Sequence, residues 1–212
     1  MSVYIFLIGI IIMSYSMVTA KRMTSLIASF RMQSLFLFLA TFFMAMKEKS
    51  AELYVVAGLL LLLKVILIPK FLSNIVKKIK MEEDIGLFLN PLVSLLAAVF
   101  LTYLSYIFTT RVIIFGSDAQ ALSFSASLSV TMIGLFIMIF RMKALSQVIG
   151  FLVMENGLFL VASAVSGGMP FFVEIVIFMD VFVSVVIFGI FIYRINKLFT
   201  HIDVSKLNTL RR

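Results

Sequence analysis

Seven long apolar runs dominate this 212-residue chain, and they constrain its fold more than any other feature. A helix needs roughly 20 apolar residues to cross a hydrocarbon core ~30 Å thick. The runs therefore predict an all-α, integral membrane bundle of seven transmembrane helices. The predicted spans are residues 3–20, 24–46, 51–75, 91–108, 121–140, 145–165 and 170–194. Only 13% of the residues are charged, about half of what a soluble domain carries.

The basic residues between these runs predict the orientation of the bundle. With the N-terminus outside, 13 of the 18 Lys and Arg residues fall on the cytoplasmic side and three on the outer side. This bias predicts a multi-pass protein of the cytoplasmic membrane with a cytoplasmic C-terminus. Because the positive charge lies beside membrane spans rather than on one face, we expect no nucleic-acid partner. The first run has no basic residue before it, so we expect it to be retained rather than cleaved as a signal peptide.

Four of the predicted spans lie in a first region, residues 1–110, and the other three, with a short cytoplasmic tail, lie in a second region, residues 111–212. In the first region Arg31 is close enough to the cytoplasmic end to reach the headgroups. Lys64 lies deep in the third span, five residues before Pro69. Because proline lacks an N–H and clashes with the preceding turn, the helix is expected to kink there. Lys64 then either lines a polar path, pairs with a carboxylate, or extends past Pro69 to the cytoplasm.

Carboxylates inside two neighbouring spans are the candidate functional groups. Glu155 lies ten residues into the sixth span and Asp180 ten residues into the seventh. Ten residues of helix cover ~15 Å, so antiparallel neighbours would bring both groups to the bilayer midplane. Ionisable groups at that depth are functional-site candidates, here for proton relay. The alternative is a structural ion pair of Glu155 with Lys64 or Arg31.

Two further features complete the predicted site and its packing. Glu174 lies four residues after Pro170, where it suits a helix cap or the outer entrance of a path. The candidate translocation residues are therefore Glu155, Asp180, Lys64 and Glu174. Small residues along the fifth span, with Gly150 and Gly157 in the sixth, predict close helix contact and hydrogen bonds across it.

Several function classes are disfavoured by what the sequence contains. Cysteine is absent and there is a single histidine, His201, so cysteine-ligated metals and clusters have no ligands in this chain. No Gly-rich phosphate loop or nucleophile–base arrangement is present in the sequence. We therefore expect a non-enzymatic chain without a cofactor of its own, embedded in lipid as one subunit of a larger complex.

Two motifs resemble those of the HyfE family of membrane subunits in group 4 energy-converting hydrogenases and formate hydrogenlyase-type complexes. They are Gly150-x4-Glu-Asn-Gly157 and Phe172-x-Glu174-x5-Asp180. The last three spans are also similar to the NuoK subunit of complex I and to the MrpC subunit of cation/proton antiporters. In those subunits a buried acid lies on each of the last two helices, and Glu155 and Asp180 would correspond. Here the first acid is about one turn later, and the second is aspartate in place of the usual glutamate.

The resemblance implies a membrane-arm subunit that links redox chemistry to proton or ion pumping. Antiporter-like membrane subunits would be direct partners and cytosolic redox subunits indirect ones, with the NiFe and Fe–S centres in those partners. Three other readings remain open: a subunit of a multisubunit cation/proton antiporter, a self-contained transporter or channel, and a purely structural membrane anchor. Internal inverted repeats would favour the self-contained transporter.

Overall fold

A computed structural model describes residues 2–79, 89–113 and 117–166, and this part of the chain is helical. Six continuous helices are present in it. One of them, called here the 51–79 helix, is continuous but consists of three segments: an α-helical one, a π-helical one and a second α-helical one. The elements are α1 (Ser2–Thr19), α2 (Met23–Glu48), α3 (Ala51–Leu60), the π segment (Leu61–Leu67), α4 (Ile68–Ile79), α5 (Pro91–Val112), α6 (Asp118–Phe140) and α7 (Ala144–Ser166).

Local sequence signals account for where several helices begin and end. Ser50 and Ser117 cap α3 and α6, since their hydroxyls accept from the backbone N–H groups of Leu53 and Gln120. Pro91 opens α5 at a position where its missing N–H costs no helical hydrogen bond. Lys49, with a φ of 51°, ends α2 in the left-handed conformation that commonly terminates helices.

The helical fold class is confirmed in the described residues, and the first six predicted spans each coincide with a helix. Five of the six helices are long and apolar enough to cross a membrane. The apolar stretch of α1, Tyr4–Thr19, is shorter than the other five. The predicted seventh span, residues 170–194, lies outside the described residues together with Glu174 and Asp180. The count of seven and the orientation therefore stay predictions.

Glycines bring α6 and α7 into the closest contact of the bundle. A Cβ atom on Gly134 would lie 2.9 Å from the carbonyl oxygen of Gly150, and one on Gly150 would lie 3.0 Å from that of Gly134. A Cβ on Gly157 would collide with Thr131. The predicted close approach is thus confirmed. Hydrogen bonds from the small polar residues of α6 to α7 were also predicted. The hydroxyls of Ser127, Ser129 and Thr131 instead donate to backbone carbonyls of α6 itself, four residues earlier.

The remaining helices surround this pair unequally. α1 packs against α2, α5 and α6, and α2 also contacts the 51–79 helix and α7. α5 is the least enclosed helix, with large apolar side chains such as Leu96, Phe100 and Tyr103 exposed. Such a face suits contact with lipid tails, whereas the well-enclosed middle of α2, α7 and the 51–79 helix can hold buried polar groups.

Candidate functional site

Lys64 is presented by an irregular stretch of helix. The π segment Leu61–Leu67 contains Lys64, and the N–H of Ile68 that follows it bonds to the carbonyl of Leu63, five residues back. Pro69 comes one residue later, where a regular helix would need a donor that proline lacks. Where a kink was predicted, the structure has a π segment within a continuous helix. Such segments occur frequently at functional sites.

The Lys64 ammonium contacts two adjacent side chains of α7. Its Nζ lies 3.4 Å from Oε2 of Glu155 and donates a hydrogen bond of 3.0 Å to Oδ1 of Asn156. Lys64 is only 1% exposed, and both α7 residues are buried as well. A buried cation is expensive unless it is paired and hydrogen-bonded, and here it is both. Of the two cations considered as partners for Glu155, Lys64 and Arg31, the structure brings Lys64 to it.

Polar side chains extend this contact from α7 to α1. Asn156 Nδ2 donates to Oε1 of Gln33 at 3.2 Å, with Oγ of Ser34 at 3.5 Å. Gln33 Nε2 in turn donates to Oγ of Ser14 at 2.7 Å, and Ser14 donates to the carbonyl of Ile10 at 2.9 Å. We call Ser14, Gln33 and Asn156 the amide arm. It joins α1, α2 and α7 through buried polar groups, each of which has a partner.

The ion pair lies at the middle of both helices that supply it. Eleven residues of α7 precede Glu155 and eleven follow it. Likewise, thirteen residues of the membrane-length stretch Ala51–Lys77 lie on either side of Lys64. At ~1.5 Å per residue, both groups are far from either end of their helices. In a membrane this pair would therefore lie near mid-depth, where an ionisable side chain is most costly and is usually functional.

A second buried cation, Arg141, lies at one end of the bundle in the turn between α6 and α7. Its guanidinium donates to the backbone carbonyls of Met17, Val18 and Ala20, at 2.7 Å, 2.9 Å and 2.9 Å, at the end of α1. The last carbonyls of a helix lack helical donors, and a cation there also meets the negative end of the helix dipole. Burial lowers the pKa of Arg141 to about 10, which leaves it charged at neutral pH. These contacts place the α1–α2 and α6–α7 turns at the same end of the bundle.

The other predicted site residues divide into two groups. Arg31, considered as a partner for Glu155, is exposed on α2, and the pairing is with Lys64 instead. Asp180 and Glu174 lie outside the described residues, so their meeting with Glu155 stays a prediction. Gln33, Ser34 and Ser14 were not predicted, nor was the capping role of Arg141. A glutamine near the centre of an apolar run was the available signal for Gln33.

Across residues 2–79, 89–113 and 117–166, no group of three His, Cys, Asp or Glu side chains could hold a metal ion. The polar groups of the site are an ammonium, a carboxylate, two amides and hydroxyls. This set can hold or move protons and can form hydrogen bonds.

The chain is similar to a distant relative whose name carries no functional description. The chain is 25% identical over 204 residues to the uncharacterized protein Rv0085 of Mycobacterium tuberculosis, covering 96% of this chain and 93% of the relative. No protein-family model matches the chain. No solved structure matches it either. The similarity spans nearly the full length of both chains.

Proposed function

We propose that this protein is a membrane-arm subunit of an energy-converting complex of the group 4 NiFe hydrogenase or complex I-like type, and that Glu155 and Lys64 form part of its proton or ion translocation path. The observation that carries the proposal is the buried Lys64–Glu155 contact at the middle of two membrane-length helices. The motif resemblance to the HyfE family supports the choice of complex. Asp180, and Glu174 at an entrance, would extend the path.

The chemistry of the pair suits this role. An ammonium 3.4 Å from a carboxylate can pass a proton to it with little movement of either group. The charges can also separate or neutralise each other in response to a charge arriving at a neighbouring site, because buried charges interact over longer distances than solvated ones. A subunit with such a pair but without catalytic machinery would depend on partner subunits for redox chemistry, and the NiFe and Fe–S centres would lie in those partners.

A structural role for the same ion pair is the second candidate. Lys64 and Asn156 join the 51–79 helix to α7, and Gln33 joins α7 to α2. A polar network of this kind can hold helices in register in a membrane, where apolar packing alone is less selective. In that case the protein would be a membrane anchor, and neutralising Glu155 would leave transport intact.

Glu155→Gln separates these two functions. The glutamine keeps the size and a hydrogen-bonding oxygen near Lys64 but cannot take up a proton. If the pair translocates protons, coupled pumping in membrane vesicles should fall by about a hundredfold or more while the complex still assembles, a loss typical of removing a positioned proton-transfer group. Normal pumping in an assembled Glu155→Gln complex would contradict the proposal and favour the anchor.

The class of complex is tested by tagged purification in mild detergent with mass spectrometry of the bound subunits. Antiporter-like membrane subunits together with a NiFe hydrogenase-like large subunit are the expected result. Antiporter-like subunits without redox partners would instead indicate a multisubunit cation/proton antiporter. A chain that purifies alone would contradict the complex-subunit proposal and favour a self-contained transporter.

A further inference from the structure

The hydrogen bonds of the amide arm all run in one direction, which is set by Lys64, the donor-only group that the arm contacts. A lysine ammonium offers donors and no acceptor, so Asn156 must face it with Oδ1. The Nδ2 group of Asn156 then faces Gln33, which must answer with Oε1. The Nε2 group of Gln33 therefore meets Oγ of Ser14, whose own hydrogen is used on the carbonyl of Ile10. Every donor in the arm points away from Lys64.

The arm ends in a backbone carbonyl, and this end point sets its role. The Ile10 oxygen is part of α1 and cannot reorient, so the Ser14 hydroxyl is held in one rotamer, and the amides of Gln33 and Asn156 are each held in one of their two orientations. Side-chain amides also have no proton that they release or take up near neutral pH. The arm is thus suited to holding a charge in place and unsuited to conducting protons towards α1.

We infer that Asn156 and Gln33 are positioning residues that keep the Lys64 ammonium in contact with Glu155. Asn156 acts on Lys64 directly, and Gln33 acts through Asn156. Lys64 needs such support because its side chain has a flexible stem and the π segment that bears it is an irregular piece of helix. The inference rests on the proposed function for its consequence in transport, whereas the Lys64–Glu155 distance can be measured without any transport assay.

The test is solid-state nuclear magnetic resonance of the full-length chain, purified with any subunits that stay bound and reconstituted in lipid. Lysine is labelled with ¹⁵N at Nζ and glutamate with ¹³C at Cδ, and dipolar dephasing reports their proximity. The Lys64 signal is assigned by its loss in Lys64→Arg. Wild type is expected to show clear dephasing of this signal by glutamate, because the two charged groups lie 3.4 Å apart.

Two near-isosteric variants remove the arm step by step. Asn156→Leu should lose most of the dephasing, and Gln33→Leu should lose part of it although the hydrogen bonds of Gln33 go to Asn156 and Ser14 rather than to Lys64 or Glu155. Gln120→Leu is the matched control, since Gln120 also joins two helices by its amide, donating to the carbonyl of Ala164, but lies outside the arm. It should keep the wild-type signal. If Asn156→Leu does not assemble, the comparison of Gln33→Leu with Gln120→Leu decides the question.

Unchanged dephasing in Asn156→Leu and Gln33→Leu, or an equal loss in Gln120→Leu, would overturn the positioning role. In assembled complexes we also expect Asn156→Leu to lower coupled transport by about tenfold, as small displacements of reacting groups commonly do. Normal transport in Glu155→Gln with lost dephasing in Asn156→Leu would contradict the proposed function alone. Loss of transport in Glu155→Gln with unchanged dephasing in Asn156→Leu would contradict the positioning role alone.

Discussion

Two buried cations of this protein, Lys64 and Arg141, are stabilised by different kinds of partner. Lys64 lies mid-helix and contacts side chains, the carboxylate of Glu155 and the amide of Asn156. Arg141 lies at the end of the bundle. Among the described residues its guanidinium donates to backbone carbonyls, those of Met17, Val18 and Ala20. Both are nearly inaccessible, at 1% and 4% exposure. Burial alone therefore does not indicate what role a buried cation has.

The difference lies in what the partners can do. Backbone carbonyls at a helix end neither titrate nor move independently of the helix, so Arg141 is a permanent cap. A carboxylate can gain or lose a proton, so the Lys64–Glu155 pair has more than one charge state available to it. Three carbonyls around one side chain also suit the planar guanidinium of arginine, which has five N–H donors and stays charged. The ammonium of lysine, by contrast, can lose its proton when it is buried.

Removing the mid-bundle cation should have the largest effect on stability. Lys64→Met leaves the Glu155 carboxylate buried without its cation, and breaking a buried ion pair on one side costs about 3–5 kcal/mol. The double variant Lys64→Met/Glu155→Gln should recover much of that loss, because no lone charge remains. Unfolding in mixed detergent micelles, followed by circular dichroism, measures both. A double variant as unstable as Lys64→Met would show that the charge pair is not the cause.

Removing the terminal cation should cost somewhat less. Arg141→Met takes the donor away from three carbonyls, and we expect a loss of about 3 kcal/mol from the charge-assisted hydrogen bonds together. A second side-chain substitution should not restore stability, because the carbonyls that lose their donor belong to the backbone. The same unfolding assay serves. Recovery of Arg141→Met by neutralising a nearby acidic residue would contradict the assignment of Arg141 as a cap.

Exchanging lysine and arginine at the two positions should affect stability at one position and transport at the other. Arg141→Lys keeps the charge but loses the fork, so stability should fall by about 1–2 kcal/mol while coupled transport per assembled complex is unchanged. Lys64→Arg keeps an ion pair with Glu155 but cannot release a proton, so transport should be lost with a smaller change in stability. Vesicle pumping normalised to assembled complex measures both. Equal transport in the two variants would remove the functional distinction between the cations.

Most of the helical architecture in the described residues could be predicted because membrane solvation leaves few options. A backbone in hydrocarbon must satisfy its own hydrogen bonds, so each apolar run of sufficient length becomes a helix. The α6–α7 contact was also predictable, since Gly150 and Gly157 remove the side chains that would keep two backbones apart. The π segment was foreseen only as a kink at Pro69, because proline removes a donor without specifying how the preceding turn adjusts.

The site was only partly predictable. Glu155 and Lys64 could be selected singly, because charges in apolar runs are rare and costly. Their pairing could not, since Arg31 was an equally available partner until the helix rotations were known. Gln33 offered one signal, an amide near the centre of an apolar run. Ser14 offered none, because hydroxyl side chains in membrane helices usually bond to their own backbone, as Thr41 does with the carbonyl of Leu37.

The amino-acid sequence was enough to predict six apolar helices in the described residues, with their ends correct to within four residues, because those properties depend on runs of neighbouring residues. Only the tertiary structure decided which polar groups meet. Whether Lys64 faces Glu155, whether Gln33 reaches Asn156, and whether Arg141 caps α1 depend on how helices rotate against one another. The sequence separation of these pairs reaches 124 residues, so local patterns carry no information about them. Each of these contacts matters for stability, since a polar group inside the bundle has no water to replace a missing partner.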